Sequence, residues 1–285
     1  MNAQDIDWND VWAEQMRKHL ESGNKKECAS IWEDKENAKR FWEMSQKDGQ
    51  KRARITIASL SITPDSKVLD IGAGPGSLAI PISEKVSYVT AVEPSSGMVE
   101  VLQENIEEQG SDNITVIRKR WEDIDTEKDL DGPYDVIIAS FSLGMPDIRK
   151  AIEDMQAVSC GYIYLYWFAG DTTWDSFSRE IWPELHGSEY FPNPKCDVLY
   201  NVLYNMGIYP DMQTFKLEHT ENYPTIDEAV NNLSSHFSLA TNMQRKTLSD
   251  YLEHKLEREN GNFKYHSRST RVKIWWKTNS EKKKN

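Results

Sequence analysis

The amino-acid sequence predicts an α/β protein with a doubly wound, mostly parallel, seven-stranded sheet and helices on both faces. From residue 67 onward, short β-branched runs alternate with stretches long enough for a helix. A glycine-rich turn follows the first of these runs. At 285 residues, the chain has room for one such unit with an N-terminal helical extension and an insertion after the fifth strand.

The first five strands are predicted to be parallel because a helical stretch separates most neighbouring runs. Crossovers of this kind are right-handed, which places the helices on both faces of the sheet. The predicted strands are 67–71, 88–93, 114–117, 134–139 and 162–167, and the helices between them are 77–85, 96–108 and 148–158.

Before the sheet, apolar residues recur at helical spacing among charged ones over residues 5–55. Asp7 or Asp10 can cap the first helix, which the Ser22-Gly23-Asn24 segment should end. We expect a helical extension over 1–55. It can either cover the ligand-binding ends of the strands or pack on the back of the sheet. Its aromatic residues are Trp8, Trp12, Trp32, Phe41 and Trp42.

After the fifth strand, the strand and helix rhythm is interrupted by an aromatic, proline-containing insertion over about 168–196. Further helices are predicted at 198–206 and within 226–256, and further strands at 212–219 and 263–277. The main domain should therefore span 56–278. Residues 279–285 form a basic tail, typical of a frayed terminus.

Composition narrows the classes of partner. Lys and Arg total 34 against 46 Asp and Glu, and the formal charge of -12 disfavours a nucleic acid. Cys28, Cys160 and Cys196 form no Cys-x-x-Cys pair, so neither a disulfide framework nor a metal site is indicated. No stretch of about 18 apolar residues predicts a membrane span. These features favour a cytoplasmic protein.

The glycine-rich turn runs from Gly72 to Gly76, directly after the strand that ends in Asp70-Ile71. Glycines permit positive φ angles and let a ligand approach the backbone. A dinucleotide fingerprint would need glycine at position 77, where the chain has Ser77, so a nicotinamide oxidoreductase is disfavoured. Asp70 suits a ligand that carries positive charge better than one that carries a pyrophosphate.

The segment Asp70-Ile71-Gly72-Ala73-Gly74-Pro75-Gly76 resembles the first signature of class I, Rossmann-like, S-adenosylmethionine-dependent methyltransferases. Glu93 ends the second strand about twenty residues later, which is the spacing of an acid that accepts the ribose hydroxyls. The resemblance implies that S-adenosylmethionine is the cofactor. It also implies that Asp70, Gly72, Ala73, Gly74, Gly76 and Glu93 bind it.

Further along the chain, the resemblance implies adenine contacts from Met98, Trp121 and Glu122, although Arg120 stands where the family often has aspartate. It also implies that the loop after the fourth strand, beginning at Ala139 and Ser140, lies beside the methionine part of the cofactor and the acceptor.

For the acceptor, the sequence offers aromatic residues that can form the wall of a pocket. Those expected to contact it are Phe141, Trp167, Trp174 and Tyr190, and His186 is the one candidate for a general base. A small organic acceptor is the leading interpretation. A protein side chain and a non-catalytic S-adenosylmethionine-binding module are the alternatives.

Overall fold

The computed structural model describes residues 6–23, 28–47, 50–234 and 236–278. Ten α-helices in these ranges are labelled in chain order: α1 (Trp8–Ser22), α2 (Lys35–Lys47), α3 (Lys51–Ala58), α4 (Ala79–Ser83), α5 (Ser96–Gln109), α6 (Ile148–Val158), α7 (Thr173–His186), α8 (Cys196–Asn205), α9 (Ile226–Leu233) and α10 (Asn242–Lys255). Short 3-10 helices span Cys28–Glu33 and Trp121–Asp123.

Eight strands form one sheet. They are β1 (Lys67–Ile71), β2 (Tyr88–Val92), β3 (Ile114–Ile117), β4 (Tyr134–Ser140), β5 (Ser159–Phe168), β6 (Asp211–Tyr223), β7 (Glu257–Glu259) and β8 (Asn262–Lys277). Their order is β3-β2-β1-β4-β5-β8-β6, and β7 pairs only with β8.

The predicted α/β fold is confirmed. Strands β1 to β5 are parallel, and β8 and β6 complete the sheet in antiparallel pairing. The short β7 is the additional eighth strand. The sequence did not predict it, because Glu257, Arg258 and Glu259 are all charged and exposed and show no apolar alternation.

Two apolar cores lie on opposite faces of this sheet. One lies between the sheet and α1, α6 and α8, and it includes Trp12, Trp121 and Trp167. The other lies beneath α3, α4 and α5, and it includes Ile57, Ile80 and Leu102. Both faces of the parallel strands are therefore covered, which explains their nearly continuous apolar sequence.

A third core lies outside the sheet proper. Residues 262–270 of β8 continue past the end of β5, paired only with β6 and β7. Helices α7, α9 and α10 pack around this ribbon with apolar residues that include Trp182, Phe237 and Tyr265. We call this unit the cap. The predicted insertion over 168–196 supplies only α7 of it, because α9 and α10 come from a later segment.

The described residues of the N-terminal extension are mostly helical, as expected. Asp7 caps α1 by accepting the Asn9 amide at 2.9 Å, and α1 ends at Ser22. Trp12 is fully buried, and its indole N–H donates to the Met145 carbonyl at 2.8 Å. Truncating a buried tryptophan to alanine costs about 3–5 kcal/mol, so this contact fixes α1 firmly.

The predicted basic tail over 279–285 lies outside the described residues. Among the residues that the structure describes, no helix is both long and apolar enough to cross a membrane.

Candidate active site

The turn after β1 holds three glycines in the left-handed region, with φ of +71° at Gly72, +57° at Gly74 and +92° at Gly76. The amides of Gly72 and Ala73 both donate to the Val92 carbonyl, which ties the turn to the end of β2. Three glycines at such angles give the backbone a path that side-chain-bearing residues adopt only with strain.

These glycines have different surroundings. A Cβ at Gly76 would lie 2.6 Å from Leu102 Cδ1, and one at Gly72 would lie 2.2 Å from Ser142 Cβ. Those two positions are glycine because the protein packs against them. A Cβ at Gly74 would meet only the Met98 sulfur, at 3.9 Å. Gly74 therefore borders open space, which is where a ligand can approach the backbone.

Asp70 lies beneath this turn and is 2% exposed. Its Oδ2 atom is buried without a hydrogen-bond partner among the described residues. Burial, with a smaller contribution from the charge of Glu93, raises the pKa of Asp70 to about 7. A buried carboxylate with an unused oxygen is costly, and a positively charged ligand would compensate it.

Glu93, which directly follows β2, is also buried, and burial raises its pKa. Its two oxygens accept the amides of Gly74 and Ser95, each at 2.9 Å. These bonds aim the carboxylate at the glycine turn. A carboxylate has about four acceptor positions, so Glu93 keeps capacity for further donors.

The three residues expected near adenine are placed differently from one another. Met98 is 4% exposed and borders the space above Gly74. Trp121 is 3% exposed within the sheet core, and its indole N–H donates to the Ala151 carbonyl at 3.0 Å. Glu122 is exposed. The indole of Trp121 is therefore engaged with α6.

The loop after β4 brings an aromatic side chain next to the glycine turn. Ser142 packs against Gly72 and donates to the Ile71 carbonyl at 2.5 Å. Phe141 has a φ of +58°, an uncommon value for a bulky residue, and its amide donates to the Tyr166 carbonyl. Ala139 is buried and Ser140 half-buried at the end of β4. Backbone strain of this kind clusters at functional sites.

From Phe141, a row of half-buried aromatic rings leads to the cap. The Phe141 and Phe168 centroids are 5.1 Å apart, and those of Phe168 and Trp174 are 5.9 Å apart. We call Phe141, Phe168 and Trp174 the aromatic row. Because each ring is only partly buried, the row offers accessible apolar surface at the carboxyl edge of the sheet.

The other residues expected to contact the acceptor lie outside this row. Trp167 is 4% exposed, packs on Trp12, and donates to the Pro194 carbonyl. Tyr190 packs against Trp182 with the rings tilted and the centroids 5.2 Å apart, and its hydroxyl donates to the buried Asp175.

His186 lies inside the cap. It contacts the Trp182 ring at 4.3 Å, the Phe237 carbonyl at 2.9 Å and the Gln244 amide at 3.5 Å. These contacts describe a packed cap histidine, and none of them involves the aromatic row or the glycine turn.

Similarity to known proteins agrees with this geometry. The family model described as a methyltransferase domain matches residues 68–159, which include the glycine turn, Glu93 and Phe141. The chain carries an S-adenosylmethionine-dependent methyltransferase domain.

Relatives of this methyltransferase are distant. An uncharacterized protein of Haemophilus influenzae is 28% identical over 207 residues, which are 73% of this chain and 74% of that protein. A probable cobalt-precorrin-6B C(15)-methyltransferase (decarboxylating) of Methanocaldococcus jannaschii is 25% identical over 109 residues, covering 38% of this chain and 56% of the enzyme. The crystal structure of a candidate methyltransferase from Bacillus halodurans, 15% identical, superposes with a TM-score of 0.59 over 80% of this chain and 99% of that one, and supports the fold.

The N-terminal extension reaches the beginning of α5, shortly after Glu93. Glu33 accepts both the amide and the hydroxyl of Ser96, at 3.1 and 2.5 Å, at the beginning of α5. A Cβ at Gly97 would lie 2.7 Å from the Trp32 carbonyl oxygen and 2.8 Å from that of Glu33. The extension is therefore in direct backbone contact with the helix that follows Glu93.

The positions of two charged residues, Glu33 and Arg271, could not be predicted from the sequence. Glu33 has no motif that separates it from the other acids of the extension. Arg271 lies in the middle of a charged and polar strand, so its sequence suggests a solvated side chain, yet it is 7% exposed. The one available signal was its position on β8, where the strand enters the parallel sheet.

Proposed function

We propose that this methyltransferase acts on a small organic acceptor, held between the carboxyl edge of the sheet and the cap. The aromatic row is the observation that carries the proposal. Half-buried aromatic faces bind planar or apolar groups, and ligands of such sheets bind beside the carboxyl ends of the strands.

For the cofactor, we propose that the space above Gly74 receives the methionine part. The unpartnered Asp70 Oδ2 suits the cofactor's ammonium group, and the remaining acceptor capacity of Glu93 suits its ribose hydroxyls. Gly72, Ala73 and Gly76 shape the turn. Met98 would lie against the adenine, with Trp121 and Glu122 nearby through the chain that follows β3. Ala139 and Ser140 would border the methionine part.

Bound there, S-adenosylmethionine supplies a methyl group on positively charged sulfur. The protein's task is to hold an acceptor atom in line with that methyl group, and positioning of this kind contributes about 7–11 kcal/mol. In the proposal, Phe141 and Trp174 orient the acceptor, and the N-terminal extension and cap exclude water. Trp167 and Tyr190 would support the row from behind. No general base is assigned, because His186 is engaged within the cap.

The charge of the chain supports a small acceptor over a nucleic acid. A formal charge of -12 repels phosphate backbones unless a local basic face offsets it. A protein side chain remains the second candidate acceptor, and a non-catalytic cofactor-binding module remains the third.

The experiment supplies cofactor labelled in its methyl group and offers the full chain separate small-molecule, protein and RNA fractions of an extract. We expect label in the small-molecule fraction with the wild type and none with Gly74→Val. Gly110→Val is the matched control, because Gly110 has a φ of +66° and no atom within 4 Å of its Cβ position, outside the site. Label confined to protein or RNA would overturn the proposal, and so would cofactor binding without consumption.

A further inference from the structure

Arg271 is a buried cation that has no acidic partner among the residues the structure describes. Its side chain lies over the Phe141 ring at 4.4 Å and near the Phe168 ring at 5.7 Å. Its Nε donates to the Ser269 hydroxyl at 3.1 Å. No carboxylate among the described residues lies within ion-pairing distance of it. Arg271 therefore packs against the aromatic row while its charge is unbalanced.

A neighbouring cation shows how this protein balances a charge when the role is structural. The Lys195 ammonium group lies 5.3 Å from the centroid of the Phe168 ring, which Arg271 also approaches. Its ammonium group donates to the buried Asp175 at 2.9 Å. The charge of Lys195 is thus balanced by a carboxylate, whereas Arg271, at the same ring, contacts a hydroxyl and two aromatic faces among the described residues.

The surroundings of Arg271 add positive charge. Burial, followed by the charge of Arg52, lowers the pKa of Arg271 to about 10. Two positions further along β8, Lys273 is equally buried and donates to the Ser59 carbonyl at 2.7 Å, and no described carboxylate pairs with it. Isolated buried charges are costly, so proteins pair them or use them to bind a ligand of opposite charge.

We propose that Arg271 binds an anionic group of the acceptor, so that the substrate class is a planar organic acid. This inference rests on the proposed function. Guanidinium groups bind carboxylates through two parallel hydrogen bonds, and the Phe141 and Phe168 rings beside it would hold the planar part of the same molecule.

The cofactor's own carboxylate is the competing partner for Arg271. Position favours the acceptor, because β8 lies three strands from β1 in the sheet, and neighbouring strands are about 4.8 Å apart. Phe141 follows β4, which lies between β1 and β5 in the sheet. The guanidinium therefore lies on the β5 and β8 side of Phe141, whereas the glycine turn lies on the β1 side.

The test measures binding of benzoate and its neutral counterpart benzamide to the full chain saturated with S-adenosylhomocysteine, near neutral pH. We expect wild-type protein to bind benzoate at least about tenfold more tightly than benzamide. Arg271→Met should abolish that preference, and Arg271→Lys should retain part of it. The control is Arg268→Met, which removes an exposed arginine of the same strand, paired with Glu218.

Equal binding of benzoate and benzamide by the wild type would overturn the inference without any variant. Survival of the preference in Arg271→Met would do the same. If Arg271→Met weakens the binding of S-adenosylhomocysteine as much as the binding of benzoate, the guanidinium binds the cofactor instead, and the inference is wrong. Benzoate preference that depends on Arg271 supports the site even if the extract experiment labels no small molecule, which separates this inference from the proposed function.

Discussion

Replacing Asp70 with asparagine should stabilise the ligand-free protein while damaging cofactor binding. Burial raises the pKa of Asp70 from an ordinary value of 3.8 to about 7. Between these values the folded protein holds a proton that the unfolded chain has released. The free energy of unfolding therefore falls as the pH rises through this window. The contribution of Asp70 to stability is greatest below its ordinary pKa of 3.8, where it is protonated in both states.

The magnitude follows from the width of the window. At about 1.36 kcal/mol for each pH unit, ionised Asp70 lowers the free energy of unfolding by up to about 4 kcal/mol above about pH 7. Asparagine carries no ionisable proton, so Asp70→Asn should lack this loss. The variant's advantage over wild type should be small at about pH 4.5 and largest at about pH 8.

Urea denaturation of both proteins at several pH values measures this difference, and other titrating groups cancel in the comparison. Asp112→Asn is the control, because it removes an exposed carboxylate outside the site. Calorimetry should show that Asp70→Asn weakens the binding of S-adenosylmethionine at least about tenfold. The reasoning is refuted if the stability difference between variant and wild type does not change with pH.

Four further predictions concern the cofactor and the extension. Gly74→Val should abolish cofactor binding without unfolding the protein, since the new side chain enters the open space above the turn; unchanged affinity by calorimetry, with Gly110→Val as reference, would contradict this. Glu93→Ala should weaken binding at least about tenfold, because charge-assisted hydrogen bonds contribute about 1.5–3 kcal/mol each, and a smaller effect would mean that ribose binds elsewhere. Gly97→Ala should push residues 28–47 away from α5 and speed their hydrogen exchange. Unchanged exchange would show that the backbone at Trp32 and Glu33 can move aside for the new methyl group without losing its packing. In wild type, S-adenosylhomocysteine should increase the protection of residues 6–23 and 28–47; a rise confined to the glycine turn and Glu93 would make these helices purely structural.

The strands and helices of the parallel half could be predicted from the sequence because local patterns specify them. The bounds of β1, β3 and α6 agree with the predicted ones. The two strands are short, mostly apolar runs, and the buried residues of α6 recur at helical spacing. The cap could not be predicted, because its core joins α7 to helices more than forty residues later. Such pairing depends on tertiary contacts that no local periodicity contains.

The same distinction applies to the site. The glycine turn and Glu93 form a local signature with fixed spacing, so the sequence could bring them together. The sequence could predict that the loop of Phe141 lies beside the glycine turn, but not the left-handed backbone of Phe141, because nothing in an aromatic side chain signals a positive φ. The burial of Arg271 could not be predicted from the sequence, because it depends on which side chains from distant segments pack over its strand.

The separate core of the cap has an evolutionary consequence. Trp174 is carried by α7, whose apolar face is buried against other cap helices rather than against the parallel strands. In the proposed acceptor site, selection for a different acceptor can therefore reshape this part of the aromatic row at little cost to the glycine turn. Phe141 lacks that freedom, because its loop also packs on Gly72 through Ser142. Among related chains, specificity should diverge first on the cap and last at the end of β4.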